Sequence, residues 1–277
     1  MRRCFIFYSL LKSFPVKYLC KLLLQSYLYN SRAYQYYSAC SHLRTSFFIS
    51  AFLSCRKQLV ISDHDYKTLG TSAHDLLASA KYTSLQVQVS YMPGFSPDPA
   101  SIDSLYLFLN RYLNKPGGIE ITGQQIPASG KPSLTLNEIV QAEKQYRTVF
   151  TAGNTVTVHI LITDGTFSGD DIFAKSYWNT STCILGKAIA GNSGGAGQIS
   201  RTQLLTTLME HEFGHLLGLV GQGTPMITDH RDPANGAHCN NPGCLMYYII
   251  QTNSAYAASI PLFDANCLAD VKANGGK

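Results

Sequence analysis

Hydrophobic residues after position 80 recur with two different periods, which predicts a domain built from both strands and helices. Residues 84–91 alternate between apolar and polar side chains, as in a strand with one face on the core. Residues 155–163 are almost all apolar or β-branched, so we expect this strand to lie centrally in the sheet. Further strands are predicted at residues 119–122, 172–178 and 182–189.

Three longer segments have the apolar spacing of helices that bury one face. The first spans residues 101–114 and is ended by Pro116 and the glycines after it. The second begins at a capping box, Thr135 with Glu138, and is expected to reach about residue 150. The third begins at Ser200. The alternation of strands and helices predicts an α/β (α+β) domain of about 200 residues.

The third helix contains the run His211-Glu212-Phe213-Gly214-His215. His211 and His215 are four positions apart, so both imidazoles lie on one side of a helix and can bind one metal ion. Glu212 is rotated by about 100°, which places its carboxylate beside the metal, where it can take a proton from a metal-bound water. The pattern favours a metal-dependent hydrolase. The alternative is a core helix that carries two histidines for packing.

A third ligand has to come from elsewhere in the chain. No glutamate follows Glu212, which excludes the later-helix glutamate of thermolysin-like enzymes. Residues 238–248 contain His238, then Met246, then Tyr248. With these residues the sequence resembles the metzincin metallopeptidases, whose motif is HExxHxxGxxH followed by a methionine turn. It is most similar to the archaemetzincin branch, in which Cys, four residues, Cys, one residue and Met follow the third histidine.

One position departs from that motif. Gly221 occupies the place of the family's third histidine, three residues after Gly218, and residues 222–237 then look like an insertion before His238. His230 lies within the insertion and is an alternative third ligand. We favour His238 because its spacing to Met246 matches the family, whereas loop histidines are more often merely solvated.

The resemblance implies a set of site residues. Zn²⁺ would be bound by His211, His215 and His238, with Glu212 as the general base. Met246 would form an apolar floor beneath the metal. Tyr248 would be a further catalytic residue that steadies the developing oxyanion.

The resemblance also implies an architecture. We expect a metzincin-like zincin catalytic domain, in which a mixed, twisted sheet packs on the active-site helix and a backing helix, with a small C-terminal subdomain. In this family an edge strand just before the metal helix binds the substrate backbone, and residues 182–189 are our candidate. The alternative is a plain edge strand without a binding role.

Beyond Cys55, the cysteines are Cys183, Cys239, Cys244 and Cys267. Archaemetzincins bind a second zinc with four cysteines that end in a CxxC pair. The matching segment here runs from Cys267 to an aspartate at position 270, which argues against a second all-cysteine site. In an exported protein these thiols would form disulfides, with Cys239 and Cys244 as our first choice among three pairings. Reduced structural thiols are the alternative.

The charge of the chain lies mostly in its N-terminal region. The whole chain has a formal net charge of +5, but residues 1–54 hold seven of its 22 Lys and Arg and no Asp or Glu, which leaves −2 beyond them. The basicity is therefore no evidence for nucleic acid, and we expect no such partner.

The segment from Arg44 to Cys55 has the layout of a bacterial lipoprotein signal: a basic residue, a short apolar stretch, and a small residue before cysteine. It predicts that residues 1–55 are an export region and that Cys55 carries a lipid anchor. Residues 56–80 would then be a linker. Residues 81–277 would be the catalytic domain, divided into subdomains 81–220 and 221–277. Under this prediction, a misassigned start would make the residues before about His42 upstream sequence. The alternative to a signal is a packed N-terminal helix. From Tyr82 onward the chain also resembles lipoprotein metalloproteases of Bacteroidota bacteria, which share "HEFGHLLGLV" and "HCNN..CLMYY".

Together these features predict an exported zinc endopeptidase, lipid-anchored to the bacterial cell envelope and monomeric, that hydrolyses protein or peptide substrates. Two other hypotheses stay open. One is a surface-anchored binding protein with a structural metal site. The other is a zinc amidase that acts on a non-protein amide.

Overall fold

The computed structural model describes residues 63–255 and 259–277. The predicted export region, with Cys55, lies outside the described residues. Within them, no helix is both long and apolar enough to cross a membrane. Part of the segment expected as a linker is packed into the domain, because Leu76 and Leu77 are fully buried.

Seven strands occur among the described residues: β1 (Ser84–Tyr91), β2 (Ile119–Gln125), β3 (Ser133–Leu134), β4 (Thr155–Thr163), β5 (Thr166–Phe167), β6 (Ala174–Trp178) and β7 (Ser181–Leu185). Five of them form one sheet in the order β2-β1-β4-β7-β6, and β3 pairs with β5. Strands β2, β1, β4 and β7 are parallel to one another. Strand β6 runs antiparallel to β7 and forms one edge of the sheet. The predicted mixed sheet and the central position of β4 are confirmed.

The same described part of the chain contains a 3-10 helix (Asp63–Tyr66) and six α-helices: α1 (Ala73–Leu77), α2 (Pro99–Tyr112), α3 (Leu136–Tyr146), α4 (Gly186–Asn192), α5 (Arg201–Leu216) and α6 (Ala265–Ala273). The predicted capping box opens α3, since Thr135 and Glu138 bond each other's backbone N–H groups. Ser200 caps α5 by accepting a hydrogen bond from the backbone N–H of Gln203. Helix α5 packs against α2 and the sheet, with contacts to β6 and β7.

Two sequence predictions near the sheet edge were wrong. The strand predicted at residues 182–189 ends at Leu185, and the chain then enters α4. That strand is also internal, because β6 folds back beside β7 and covers it. Strand β6 forms a hairpin with β7 and hydrogen-bonds the backbone groups of β7 that the sequence predicted to be exposed. The edge strand before the metal helix is therefore β6.

The central strand β4 is buried on both faces, with helices packed on either side of the sheet. On β4, Val156, Val158 and Ile160 belong to the larger core cluster, which includes residues of α2 and α5. Leu161 belongs to a smaller cluster that includes Ile139 of α3. This two-sided burial agrees with the nearly continuous apolar sequence of β4.

A charged network is enclosed beside α3. Arg147 is fully buried; its Nη1 donates to Glu143 Oε1 at 2.9 Å, and its Nη2 lies 3.6 Å from Asp65 Oδ2. Nη2 also donates to the hydroxyl of Thr157 at 2.9 Å. Because buried ions lose their hydration, this arrangement is tolerable only while both carboxylates have their cationic partner.

We predict that Arg147→Met lowers the free energy of unfolding by about 3–5 kcal/mol, since it leaves the buried Glu143 without its cation and removes one of two cationic neighbours of Asp65, the other being His64. The measurement is urea unfolding followed by circular dichroism. Lys187→Met, at an exposed cation of α4, serves as the control and should change stability by less than about 0.5 kcal/mol. Equal effects of the two substitutions would contradict the role of the network.

Candidate metal centre

The structure brings together the three histidines that the sequence singled out. His211 and His215 lie one turn apart on α5, with their Nε2 atoms 3.2 Å from each other. The His238 ring centroid lies 5.4 Å from that of His211 and 5.0 Å from that of His215. One ring nitrogen from each residue lies within 4.8 Å of the other two. These imidazoles therefore surround one small volume.

The chain turns sharply to bring His238 to this point. Gly218 and Gly221 follow α5 with φ of 68° and 71°, a region that glycine enters without steric cost. The segment before His238 then closes on itself, since Asp232 N–H donates to the carbonyl of His238 at 2.8 Å. Residues 222–237 thus bring the chain back, so that His238 lies beside α5.

The outer nitrogen of each imidazole is held by an acceptor. His211 Nδ1 lies 2.7 Å from the carbonyl oxygen of Leu245, and His238 Nδ1 lies 2.6 Å from that of Asn235. His215 Nδ1 lies 3.3 Å from Gln222 Oε1. A carbonyl oxygen can only accept, so Nδ1 of His211 and His238 carries the proton and Nε2 presents a lone pair.

Lone pairs that face each other at such short distances repel unless a cation lies between them. Burial lowers the pKa of His211 and of His238, and it lowers that of His215 further with the help of the two neighbouring imidazoles. All three rings are therefore neutral at neutral pH, the form that binds metal. Three imidazole donors with occupied Nδ1 atoms fit a zinc ion and its usual outer hydrogen bonds.

Glu212 is buried beside this cluster. Its Oε2 accepts hydrogen bonds from the hydroxyls of Ser176 at 2.6 Å and Thr182 at 3.4 Å. Burial raises the pKa of Glu212 to about 7, and the Ser176 hydrogen bond opposes that rise. A carboxyl group with such a pKa can both accept and release a proton near neutrality.

Ser176 was not found by sequence reasoning. It lies on β6, and only the packing of that strand against α5 brings its hydroxyl to Glu212. A serine in an alternating strand has no distinguishing pattern in a single sequence.

A cavity of about 590 Å³ opens over the three histidines and Glu212. Residues of β6, including Lys175 and Ser176, line one side. Tyr248, Ile249 and Ile250 line another side, and the Tyr248 side chain is 42% exposed. The histidines therefore face a space that is large enough for a ligand.

Met246 is fully buried against α5. A Cβ atom added at Gly214 would lie 2.1 Å from Met246 Sδ and 3.3 Å from the Phe263 ring. Because Gly214, between the two helix histidines, has no side chain, Met246 can pack directly against the helix at this point.

His230 lies in a different environment from the one that the sequence suggested. It is 1% exposed, so the expectation of a solvated loop histidine is wrong. Its Nε2 lies 2.9 Å from Asp270 Oδ2, and its Nδ1 lies 3.4 Å from Cys239 Sγ. The structure groups His230 with Cys239, Asp264 and Cys267, whose polar atoms lie within 4.8 Å of one another.

The four cysteines beyond Cys55 are buried free thiols. The disulfide expected between Cys239 and Cys244 is absent from the structure. Cys244 Sγ instead lies 3.5 Å from Cys267 Sγ.

Comparisons with known proteins place these features in context. No protein-family model and no curated protein matches the chain. The solved structure of archaemetzincin from Methanopyrus kandleri is similar with 12% identity and a TM-score of 0.46, covering 69% of this chain and 96% of that one. Metalloproteinase-II from Bacteroides fragilis is similar with 16% identity and a TM-score of 0.41, covering 72% of this chain and 54% of that one. At these identities and TM-scores, neither similarity assigns an activity to this chain.

We predict that Gly214→Ala lowers the free energy of unfolding by about 1–3 kcal/mol, because the new methyl group has to displace the buried Met246 side chain. Alanine is otherwise the better helix former by about 1 kcal/mol, so the sign is diagnostic. Gly191→Ala in α4 is the matched control, since its added Cβ meets nothing within 4 Å. Thermal unfolding of both variants checks the prediction, and a stabilised Gly214→Ala would contradict it.

Proposed function

We propose that this protein is a zinc-dependent endopeptidase in which His211, His215 and His238 bind Zn²⁺ and Glu212 is the general base. The observation that carries the proposal is the convergence of three neutral imidazoles beside a buried carboxyl group, all facing one cavity. A structural metal site has no use for a buried carboxyl group that lies beside the metal ligands without being one of them. The geometry therefore favours catalysis over a surface-anchored binding protein.

When bound, the zinc ion supplies Lewis acidity and lowers the pKa of water to about 7. The protein side chains have separate tasks. Ser176 and Thr182 hold Oε2 of Glu212, while no hydrogen bond to Oε1 occurs among the residues that the structure describes. Oε1 can thus take a proton from the attacking water and pass it to the departing amine nitrogen. Tyr248, at the cavity wall, would steady the oxyanion.

The substrate that fits this site best is an extended peptide. Strand β6 is one of the two edge strands of the sheet, and its residues Ala174 to Ser176 line the cavity. Its unpaired backbone groups can bind a peptide strand and lay the scissile bond near Glu212. A small non-protein amide would leave this edge unused. The edge strand thus favours a peptidase over an amidase.

Export and lipid anchoring at Cys55 belong to the same proposal and are supported by the sequence pattern alone. We propose that the protein is held at the bacterial cell envelope as a monomer. The mass of protein extracted from membranes tests this, because an unlipidated chain that retains Met1 contradicts it.

We predict that Glu212→Gln keeps its zinc at this site but loses roughly 10²- to 10⁴-fold in kcat/KM, since glutamine is isosteric but cannot accept the proton. Cleavage of a diverse peptide library by the full chain, with zinc content measured in parallel, checks this. His238→Ala should lose both the activity and this zinc ion. Equal activity of wild type and Glu212→Gln would point to a contaminating protease and contradict the proposal.

We predict that Ser176→Ala lowers kcat by roughly 10- to 100-fold with little change in KM, because the Glu212 carboxylate loses its shortest hydrogen bond and its position. Ser176→Thr retains the hydroxyl and should recover most of kcat. Zinc content should stay unchanged in both variants. Loss of activity in Ser176→Thr equal to that in Ser176→Ala would show that strand packing, not the hydroxyl, matters.

A further inference from the structure

Strand β6 presents the backbone groups of alternate residues to its open side. The carbonyl of Phe173 accepts a hydrogen bond from the Leu185 N–H at 2.8 Å, so the backbone of Phe173 faces β7. This direction alternates along an antiparallel strand, so Lys175 also faces β7. The N–H and C=O groups of Ala174 and Ser176 therefore point away from the sheet, where an added strand would bind them.

The side chains of β6 alternate between the two faces of the sheet. Ser176 lies on the α5 face, where its hydroxyl bonds Glu212. Lys175 lies on the opposite face, and its Nζ is 5.7 Å from the centre of the Phe167 ring. Both Ser176 and Lys175 line the candidate cavity. The cavity thus reaches both faces of the strand at this edge.

The ammonium group of Lys175 has no carboxylate partner. Among the residues that the structure describes, none forms an ion pair with it. No other lysine or arginine of the described chain lines the cavity, whose carboxylates are Asp171 and Glu212. Glu212 lies on the α5 face with the histidines. The half-buried Lys175 side chain therefore places a positive charge along the open edge of β6.

A peptide that adds to β6 has one side chain directly beside Lys175. Residues that stand opposite each other on adjacent strands point to the same face, with Cβ atoms about 4.5–5.5 Å apart. At that separation the carboxylate of a glutamate reaches the Lys175 ammonium group. Opposite charges in such a pair stabilise the pairing, and like charges destabilise it. The strand edge is therefore selective for charge at one substrate position.

We propose that Lys175 is a specificity-determining residue, which makes the enzyme prefer extended peptides with a glutamate or aspartate opposite it. This inference rests on the proposed peptidase function and names the substrate class within it. Lys175 directly precedes Ser176, which contacts Glu212, and strand residues are about 3.3 Å apart. The acidic residue is therefore expected within about three residues of the cleaved bond.

Asp171 is the residue that would give the opposite preference. It lines the same cavity and is exposed. It lies three positions before Ala174, where β6 begins, so strand pairing brings no substrate side chain directly opposite it. Exposed charges that are not held in contact are screened by water and salt. We therefore expect the charge of Lys175 to dominate the specificity.

The experiment compares kcat/KM of the zinc-loaded full chain for peptides that differ only by Glu, Gln or Lys at one position. That position is scanned over three residues on each side of a cleaved bond. At one of them, kcat/KM should be roughly 2- to 5-fold higher for the glutamate peptide than for the glutamine peptide, and lowest for the lysine peptide. High salt should reduce these ratios.

Variants assign the preference to one charge. Lys175→Met keeps an unbranched stem and should bring the three values of kcat/KM to within about 2-fold of one another. Lys175→Glu should reverse their order. Lys175→Arg, which retains the charge, should preserve the order and shows that strand β6 tolerates substitution. Lys187→Met, at an exposed lysine of α4, is the matched control and should also preserve it.

A binding measurement separates this inference from the proposed activity. Fluorescence anisotropy of the same labelled peptides on zinc-loaded Glu212→Gln gives dissociation constants without turnover. The glutamate peptide should bind most tightly, and adding Lys175→Met should remove the difference. If the wild type cleaves no peptide but this charge-dependent binding is present, the peptidase proposal fails while the role of Lys175 stands.

Three results would overturn the role of Lys175. One is a preference for glutamate that persists in Lys175→Met. Another is a wild-type preference for lysine that disappears in Asp171→Asn, which would assign the specificity to Asp171. The third is equal binding of all three peptides, or none, on Glu212→Gln together with no difference in kcat/KM.

Discussion

The activity proposed for this protein depends on one electrostatic constraint: neutral imidazoles whose lone pairs face one another at the surface of α5. Carbonyl oxygens hold the Nδ1 protons of His211 and His238, so these rings cannot turn a proton inward to relieve the repulsion. The three rings are also too buried to relieve it by protonation, since burial lowers each pKa. A divalent cation between them satisfies all three lone pairs at once.

Three elements of the fold, α5, β6 and the segment after α5, each hold some of the site residues in place. Helix α5 supplies His211, Glu212 and His215 from one face, and its packing against α2 and the sheet fixes its direction. Strand β6 supplies Ser176 to Glu212 and a free backbone edge along the cavity. The segment after α5 supplies His238, and the next residue, Cys239, lies in the group with His230, Asp264 and Cys267.

Much of this arrangement could be predicted from the sequence. The spacing of His211 and His215 on a helix and the apolar run of β4 are local patterns, and local patterns translate directly into structure. The nomination of His238 rested on its spacing to Met246, and the structure brings it to the other two histidines.

The sequence predictions that were wrong or missing share a different cause. The order of β6 and β7 depends on how a hairpin folds back on the sheet, and no period within either strand records that. Ser176 contacts Glu212, which is 36 positions away in the sequence, and His230 contacts Asp270, which is 40 positions away. Such partners are set by tertiary packing, so a single sequence does not reveal them.

The measurement that tests the central claim most directly is anomalous X-ray diffraction at the zinc absorption edge, on crystals of the zinc-loaded full-length protein. The account predicts an anomalous peak at about 2.0–2.1 Å from a ring nitrogen of each of His211, His215 and His238. A peak bound by His211 and His215 while His238 points away, or no peak at this point of α5, would contradict it.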